Sequence, residues 1–492
     1  MTKILKNCYC WDHVKEDFDY KSLYIQDGVL IDPEKSEIEK NTIEIDNLKG
    51  KYLYPAFVDS HLHLLGVGSE LRNPPLNDVD APEILRELIR EDERETILLR
   101  GWDEEKLNFI PDRDFLDNIS NKKNIILIRK CGHIGTVNTP AINAFQLEET
   151  DNIDNSELSR GLLKERGLNQ ALEKIVNDKR SIAKNLITAA EKLKKEGITS
   201  VHSDDYHSVR FDSLIEILQR QREIRIFEKV NPNSMEELQA MTESGVFSSH
   251  NTEFLRVKSV KVFLDGSFGG RTALLTAPYE DTPTRGIAYI TSDEFAEYVH
   301  FCERNELQLI AHVIGDGALK IALEGFEKAI SSQNPLRHRL VHLQMASREQ
   351  LSLIKRLDLR VSIQPIFFDS DFDMGQRILG KKRFEEICYP FRKALDMGIK
   401  VSLSTDSPVE KTNPIINMVS ALRFMDLNKA FYSYTVAGAE AAFMETELGQ
   451  LRPGFKADAF LHERNIFQMN TDEIRTTKPE NVLYNGQWIF NL

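Results

Sequence analysis

Twelve histidines occur in the 492 residues, and two of them, His61 and His63, close the stretch Y-P-A-F-V-D-S-H-L-H that starts at Tyr54. The stretch reads as a short buried strand. Side chains alternate faces along a strand, so His61 and His63 point the same way, one pleat apart. At that spacing two imidazoles reach one metal ion, and neutral imidazole is a common ligand for zinc and its neighbours. An H-x-H also arises by accident on a solvated loop, so the weight falls on the other ligand-type residues. His312 stands in A-H-V-I-G-D, His342 in R-L-V-H-L and Asp406 in S-L-S-T-D-S-P. Lys261 lies inside the apolar run of S-V-K-V-F-L-D-G, on one face with Phe263 and Asp265, whereas Lys258 has the opposite parity. Desolvation disfavours a charged lysine and leaves a reactive amine. The plainer alternative is a side chain that reaches solvent or pairs with Asp265.

These residues need a scaffold that brings distant strand ends together. Apolar runs predict core strands at 55–61, 197–202, 223–230, 256–264, 307–312, 338–342, 359–364 and 399–405. Helical patterns lie between most of them, as at 292–304, 317–331, 347–356 and 383–397. Alternating strands and helices imply a parallel sheet, and eight units imply a closed (β/α)8 barrel of the TIM type. Catalytic groups of such barrels cluster at the carboxyl ends of the strands, which is where His61, His63, His312, His342 and Asp406 fall. The first and second strands are too far apart for one helix, so residues 64–190 hold an insertion, with strands of its own at 96–100 and 124–129.

Both ends of the chain have a different texture. Short alternating runs with Asp-Gly and Asp-Pro turns fill residues 1–50, and K-A-D-A-F-L-H-E and N-V-L-Y-N-G-Q-W-I-F repeat the pattern near the C-terminus. The expected organisation is a β-sandwich from 1–50 plus 440–492, and a barrel over 51–439 that includes the insertion.

Composition narrows the function. A net charge of −14 argues against nucleic acid as a partner. No apolar run is long enough to span a membrane, and M-T-K-I-L-K-N-C-Y-C-W-D lacks the apolar core of a signal peptide. Five cysteines with no C-x-x-C pair fit a reducing cytoplasm. The number of copies in an assembly, a homo-oligomer included, is left open by the sequence.

Together, P-A-F-V-D-S-H-L-H, V-K-V-F-L-D-G-S, H-V-I-G-D, V-H-L-Q and S-T-D-S-P resemble the amidohydrolase superfamily, and most closely the branch that includes the N-substituted formamide deformylases. G-W-D at 101–103, G-H at 132–133 and the late L-R-P-G-F-K-A-D-A-F are similar to that branch as well. The resemblance implies one or two divalent ions, zinc foremost, and hydrolysis of small acyclic amides by a metal-activated hydroxide. His61 and His63 would hold a buried metal and His312 and His342 a second one. Lys261 would carry a bridging carbamate, and Asp406 would be both ligand and proton shuttle. Ala56 replaces a usual Gly, and Gly317 stands where the branch often has Arg. Trp102, His133 and Phe268 are candidates to line the substrate pocket. F-F-D-S-D-F-D, with Asp369, Asp371 and Asp373, reads as a solvated acidic loop that would favour a cationic substituent if one carboxylate turned inward. A cyclic-amide hydrolase or deaminase is the alternative enzyme. A non-catalytic binding protein of the same fold is the alternative of another class.

Overall fold

The structure is a computed structural model that describes residues 2–36, 43–73, 75–76, 79–129, 134–147, 157–164, 168, 172, 179–205, 211–330 and 333–490. The chain forms two compact units, one of Met1–Leu64, Ala190–His207 and Leu218–Leu492, the other of Leu65–Ala189 and Ser208–Ile217.

The strands, in chain order, begin with β1 (Thr2–Asp12), β2 (Asp17–Gln26), β3 (Val29–Ile31), β4 (Ile43–Pro55) and β5 (Phe57–Leu62). The second unit carries β6 (Thr96–Trp102), β7 (Asn124–Arg129), β8 (Ile134–Val137) and β9 (Leu162–Lys164). Then follow β10 (Ile198–Ser203), β11 (Arg225–Val230), β12 (Leu255–Phe263), β13 (Gln308–Val313), β14 (Arg339–His342), β15 (Arg360–Ile363) and β16 (Val401–Leu403). The chain closes with β17 (Ala459–His462), β18 (Asn481–Tyr484) and β19 (Gln487–Trp488).

Eight of these make one sheet in the order β16-β15-β14-β13-β12-β11-β10-β5, with every neighbouring pair parallel. Parallel strands covered on both faces read as nearly continuous apolar runs, which is why each barrel strand lies within a residue or two of its predicted position. The seam between β5 and β16 closes at the carboxyl end, where Asp406 N donates to His61 O at 2.9 Å, His63 N to Ser407 O at 2.8 Å and Ser60 Oγ to Leu403 O at 2.8 Å. The predicted helix 383–397 is two helices, Lys381–Ile387 and Phe391–Asp396. Pro390 divides them, because it lacks the amide hydrogen a helix interior requires.

The strand-rich ends meet in one seven-stranded sheet, β19-β18-β17-β4-β1-β2-β3, antiparallel except for β1 with β4. One face buries Leu5, Cys8, Cys10, Leu23, Leu53, Leu461 and Leu483. On another side Tyr54 and Phe57 each stack on Phe460, with ring centroids 4.8 and 4.9 Å apart, so the hinge from β4 into β5 is packed by aromatic rings. A buried ion pair adds to this junction. Arg225 of β11 bonds to the Asp458 carboxylate through Nη1, and its Nη2 donates to Asn485 Oδ1 at 3.1 Å. The two side chains are 1% and 5% exposed. Removing one partner strands the other charge, so Asp458→Ala is expected to destabilise this unit by about 3–5 kcal/mol. Denaturant unfolding measures it, and an unchanged midpoint would show that the pair holds nothing together.

The second unit has its own four-stranded sheet, β6-β7-β8-β9, parallel between β6 and β7 and antiparallel elsewhere. Among the described residues no helix is long and apolar enough to cross a membrane.

Candidate active site

All six candidate ligands lie in the first unit, where the barrel strands end. His61 is the fifth residue of β5, and His63 follows one pleat later. His312 is in β13, His342 ends β14, and Asp406 lies three residues beyond β16. Asp406 Oδ1 stands 3.1 Å from His61 Nε2 and 3.4 Å from His63 Nε2. Donor atoms of His61, His342 and Asp406 lie within 4.8 Å of one another. The His312 and His342 rings are 4.6 Å apart, centroid to centroid.

The residues present fit a divalent ion. Asp406 Oδ1 is buried, and among the described residues no hydrogen bond reaches it. Two ligand atoms at about 2.1 Å from one tetrahedral ion stand about 3.4 Å apart, close to the two spacings around Oδ1. The protonation states of His61 and His342 suit ligation too, whereas at His63 the Asp406 carboxylate outweighs burial and raises the imidazole above its usual range. Burial, then the nearby Lys229, holds His61 well below the usual imidazole range, and burial with neighbouring His312 lowers His342 to about 3. Both rings are therefore neutral at neutral pH. Burial pushes the Asp406 carboxyl up, but His63, His342 and Lys261 outweigh it, so the group sits below its usual range.

Local backbone and buried polar groups fix these side chains. His342, Leu343 and Asp406 have φ of 80°, 50° and 58°. Left-handed backbone at residues other than glycine costs about 1–3 kcal/mol and concentrates at sites where the surroundings enforce it. Asp59 supplies part of that enforcement. Its carboxylate accepts from His61 N at 3.1 Å, and from Thr405 N at 3.0 Å and Thr405 Oγ1 at 2.8 Å. Burial raises it to about 7. His63 Nδ1 donates to Asp204 O at 2.8 Å, and His312 Nδ1 faces Asp265 Oδ1 at 3.1 Å. Asp265 also accepts from the backbone N–H groups of Leu274, Ile314 and Gly315.

Lys261 is fully buried, as its parity predicts, and Lys258 is exposed. Neither form of the plainer alternative is seen, since the Lys261 side chain does not reach solvent and its partner is not Asp265. Lys261 Nζ lies 2.8 Å from Asp204 Oδ2, at the end of β10, and 4.7 Å from the Phe263 ring centroid. Asp265 is instead committed to His312 and to three amides.

The proposed substrate-lining residues divide three ways. Trp102 is 2% exposed in the core of the second unit, with Leu99, Leu107, Leu116 and Leu127. His133 falls outside the described residues. Phe268 is 3% exposed in the loop after β12. The segment F-F-D-S-D-F-D is helical, part of Ile366–Leu379, rather than a loop. Asp369 accepts from Ser420 Oγ at 2.6 Å, Asp371 accepts from the Tyr389 hydroxyl, and Asp373 is exposed. A side chain at Gly317 is excluded by close backbone, since a Cβ there would lie 2.9 Å from Leu274 O.

Three buried residues near the site escaped the sequence reading. Lys229 of β11 contacts His61 Nδ1 through Nζ, and the parity that marks Lys261 would have marked it inside E-I-R-I-F-E-K-V. Asp204 stands at a strand end, where the barrel rule alone points. Gln364 follows β15 and reaches His342, and no sequence pattern announces it.

This barrel, with imidazoles and a carboxylate converging at its carboxyl end, defines the metal-dependent amidohydrolase class. The chain belongs to the amidohydrolase family, whose match spans residues 44–490, and it is a hydrolase acting on carbon–nitrogen bonds other than peptide bonds. An uncharacterized metal-dependent hydrolase from Pyrococcus furiosus superposes with a TM-score of 0.80 at 28% identity, over 95% of this chain and 100% of that one. A second such hydrolase, from Pyrococcus horikoshii, gives 0.80 at 27%, over 96% and 99%. The N-substituted formamide deformylase of Arthrobacter pascens is 21% identical over 481 residues, which covers 88% of this chain and 87% of that enzyme.

Proposed function

We propose that the protein hydrolyses small acyclic amides of the N-substituted formamide kind, with one or two zinc ions held by His61, His63, Lys261, His312, His342 and Asp406. The observation that carries this reading is the convergence of His61 and His63 Nε2 on Asp406 Oδ1, at 3.1 and 3.4 Å. When bound, such an ion supplies Lewis-acid polarisation of the substrate carbonyl and lowers the pKa of water to about 7.

The chain's own groups do the rest. The Asp406 carboxylate takes the proton of the attacking water and returns it to the leaving nitrogen, acting as base and then acid. Lys261, fully buried beside Phe263, carries a carbamate in this reading, which turns a donor into an acceptor and parts it from Asp204. Phe263, 5.0 Å from His312 between ring centroids, and Phe367, 6.4 Å from His342, offer an apolar wall to the substituent on nitrogen. The similarity to the formamide deformylase, at 21% identity, favours the acyl class.

The decisive assay is a panel of N-substituted formamides, dipeptides, nucleosides and cyclic ureides, run with zinc- and manganese-loaded protein. The formamides are expected to turn over fastest. A nucleoside or cyclic ureide in first place would replace this reading with a deaminase or cyclic amidase. Lys261→Ala is expected to lose activity, and short-chain carboxylic acids, standing in for the carbamate, to restore part of it.

A further inference from the structure

Strand β15 brings no ligand to the site, yet the residue just beyond it, Gln364, is 1% exposed and ends against a ligand histidine. Its Oε1 lies 2.9 Å from His342 Nδ1, and its Nε2 lies 2.8 Å from Ser404 Oγ. The direction of both bonds follows from their surroundings. Ser404 Oγ is 3.3 Å from Ile363 O, a group that only accepts. The hydroxyl proton goes there, which leaves Oγ as an acceptor for the Gln364 amide hydrogens. The Gln364 carbonyl must then face His342. A carbonyl cannot donate, so His342 carries its proton on Nδ1, which also stands 4.0 Å from Asp406 Oδ2, and Nε2 is left unprotonated.

Ser404 is itself held. Asn417, fully buried, donates to Ser404 O at 2.6 Å and accepts from Ile366 N at 2.9 Å, which keeps the ends of β15 and β16 in register. The chain Ser404–Gln364–His342 is thus a directional relay of hydrogen bonds on a rigid base. His342 needs such support, because its backbone, with φ of 80°, sits in the sterically disfavoured left-handed region, which persists only where the surroundings enforce it.

We propose that Gln364 is a positioning residue for His342: it selects the tautomer whose Nε2 can bind a metal and fixes the ring toward the site. The inference rests on the metal-holding reading of that site. Partners of metal-bound histidines typically control affinity by 10- to 100-fold.

The test is zinc affinity of the full chain, by competition with a chromophoric chelator, alongside the unfolding midpoint of the metal-free protein. Gln364→Leu is expected to weaken zinc binding by about 10- to 100-fold. Gln364→Glu, whose carboxylate accepts from both His342 and the Ser404 hydroxyl, is expected to stay within about threefold of wild type. Wild-type affinity in Gln364→Leu overturns the inference, and so does an equal loss in Gln364→Glu, which would assign Gln364 to packing alone. If Gln364→Leu does not fold, Ser404→Ala decides. Without Oγ the amide is free to turn over, so affinity should fall by more than about threefold, and an unchanged value refutes the relay. A wild-type protein that binds no zinc would overturn the metal centre itself. A variant matching a zinc-binding wild type overturns only the role of Gln364.

Discussion

Asp406→Asn is expected to lower turnover by about 10² or more while leaving the fold intact. The substitution keeps the size and shape of the side chain and removes its capacity to accept a proton. Asp406 adopts φ of 58°, and asparagine is among the few residues that enter the left-handed region readily, so the backbone is not strained. The bonds that set this turn, Asp406 N to His61 O and Val409 N to Asp406 O, are both 2.9 Å and made by the main chain. An alanine would confound the result, because it adds backbone strain to loss of the base. The carboxyl sits below its usual range, burial being outweighed by His63, His342 and Lys261. The wild-type base is therefore ionised at neutral and mildly acidic pH, and the loss in the variant should persist across that span. Turnover number and unfolding midpoint measured together check this. Near-normal turnover in a folded Asp406→Asn protein would remove Asp406 from the shuttle role.

The parts of the site that were legible share a local cause. Barrel strands covered on both faces must be apolar, so His61, Lys261, His312 and His342 stand out against their own neighbours, and two-residue parity gives their direction. What stayed hidden depends on partners distant in sequence. The role of Gln364 comes from Ser404 and His342, and that of Asp204 from Lys261, 57 residues away. Lys229 had the right parity, but the charged residues around it in β11 make that strand look half-exposed, although all of it is buried. The segment with Asp369, Asp371 and Asp373 misleads for the opposite reason. Its acids look solvated and irregular, yet Phe367, Gly375 and Ile378 bury one side of a helix there. Only the G-W-D motif points to Trp102, and its burial in the core of the second unit is not encoded in that motif.

Loss of either histidine of the H-x-H pair is the other large effect expected. Purified protein should carry about one to two equivalents of divalent metal, and His61→Ala and His63→Ala should each lose most of the ion that the pair holds. The two should differ in what else they disturb. His61 is 1% exposed and meets Lys229 on its Nδ1 side as well as Asp406 on its Nε2 side. Its removal leaves a buried amine and a buried carboxylate facing a gap, so His61→Ala should also lose stability. The His63 side chain is 21% exposed, and solvent can replace its bond to Asp204 O. His63→Ala should therefore lose metal and turnover with a smaller change in unfolding midpoint, which separates the chemical role of the pair from its packing. Elemental analysis, turnover and thermal unfolding on the three proteins give the comparison. Chelation followed by zinc should restore the wild type and neither variant. If His61→Ala binds zinc and turns over as the wild type does, or if folded wild-type protein stays metal-free in excess zinc, the metal centre described here does not exist.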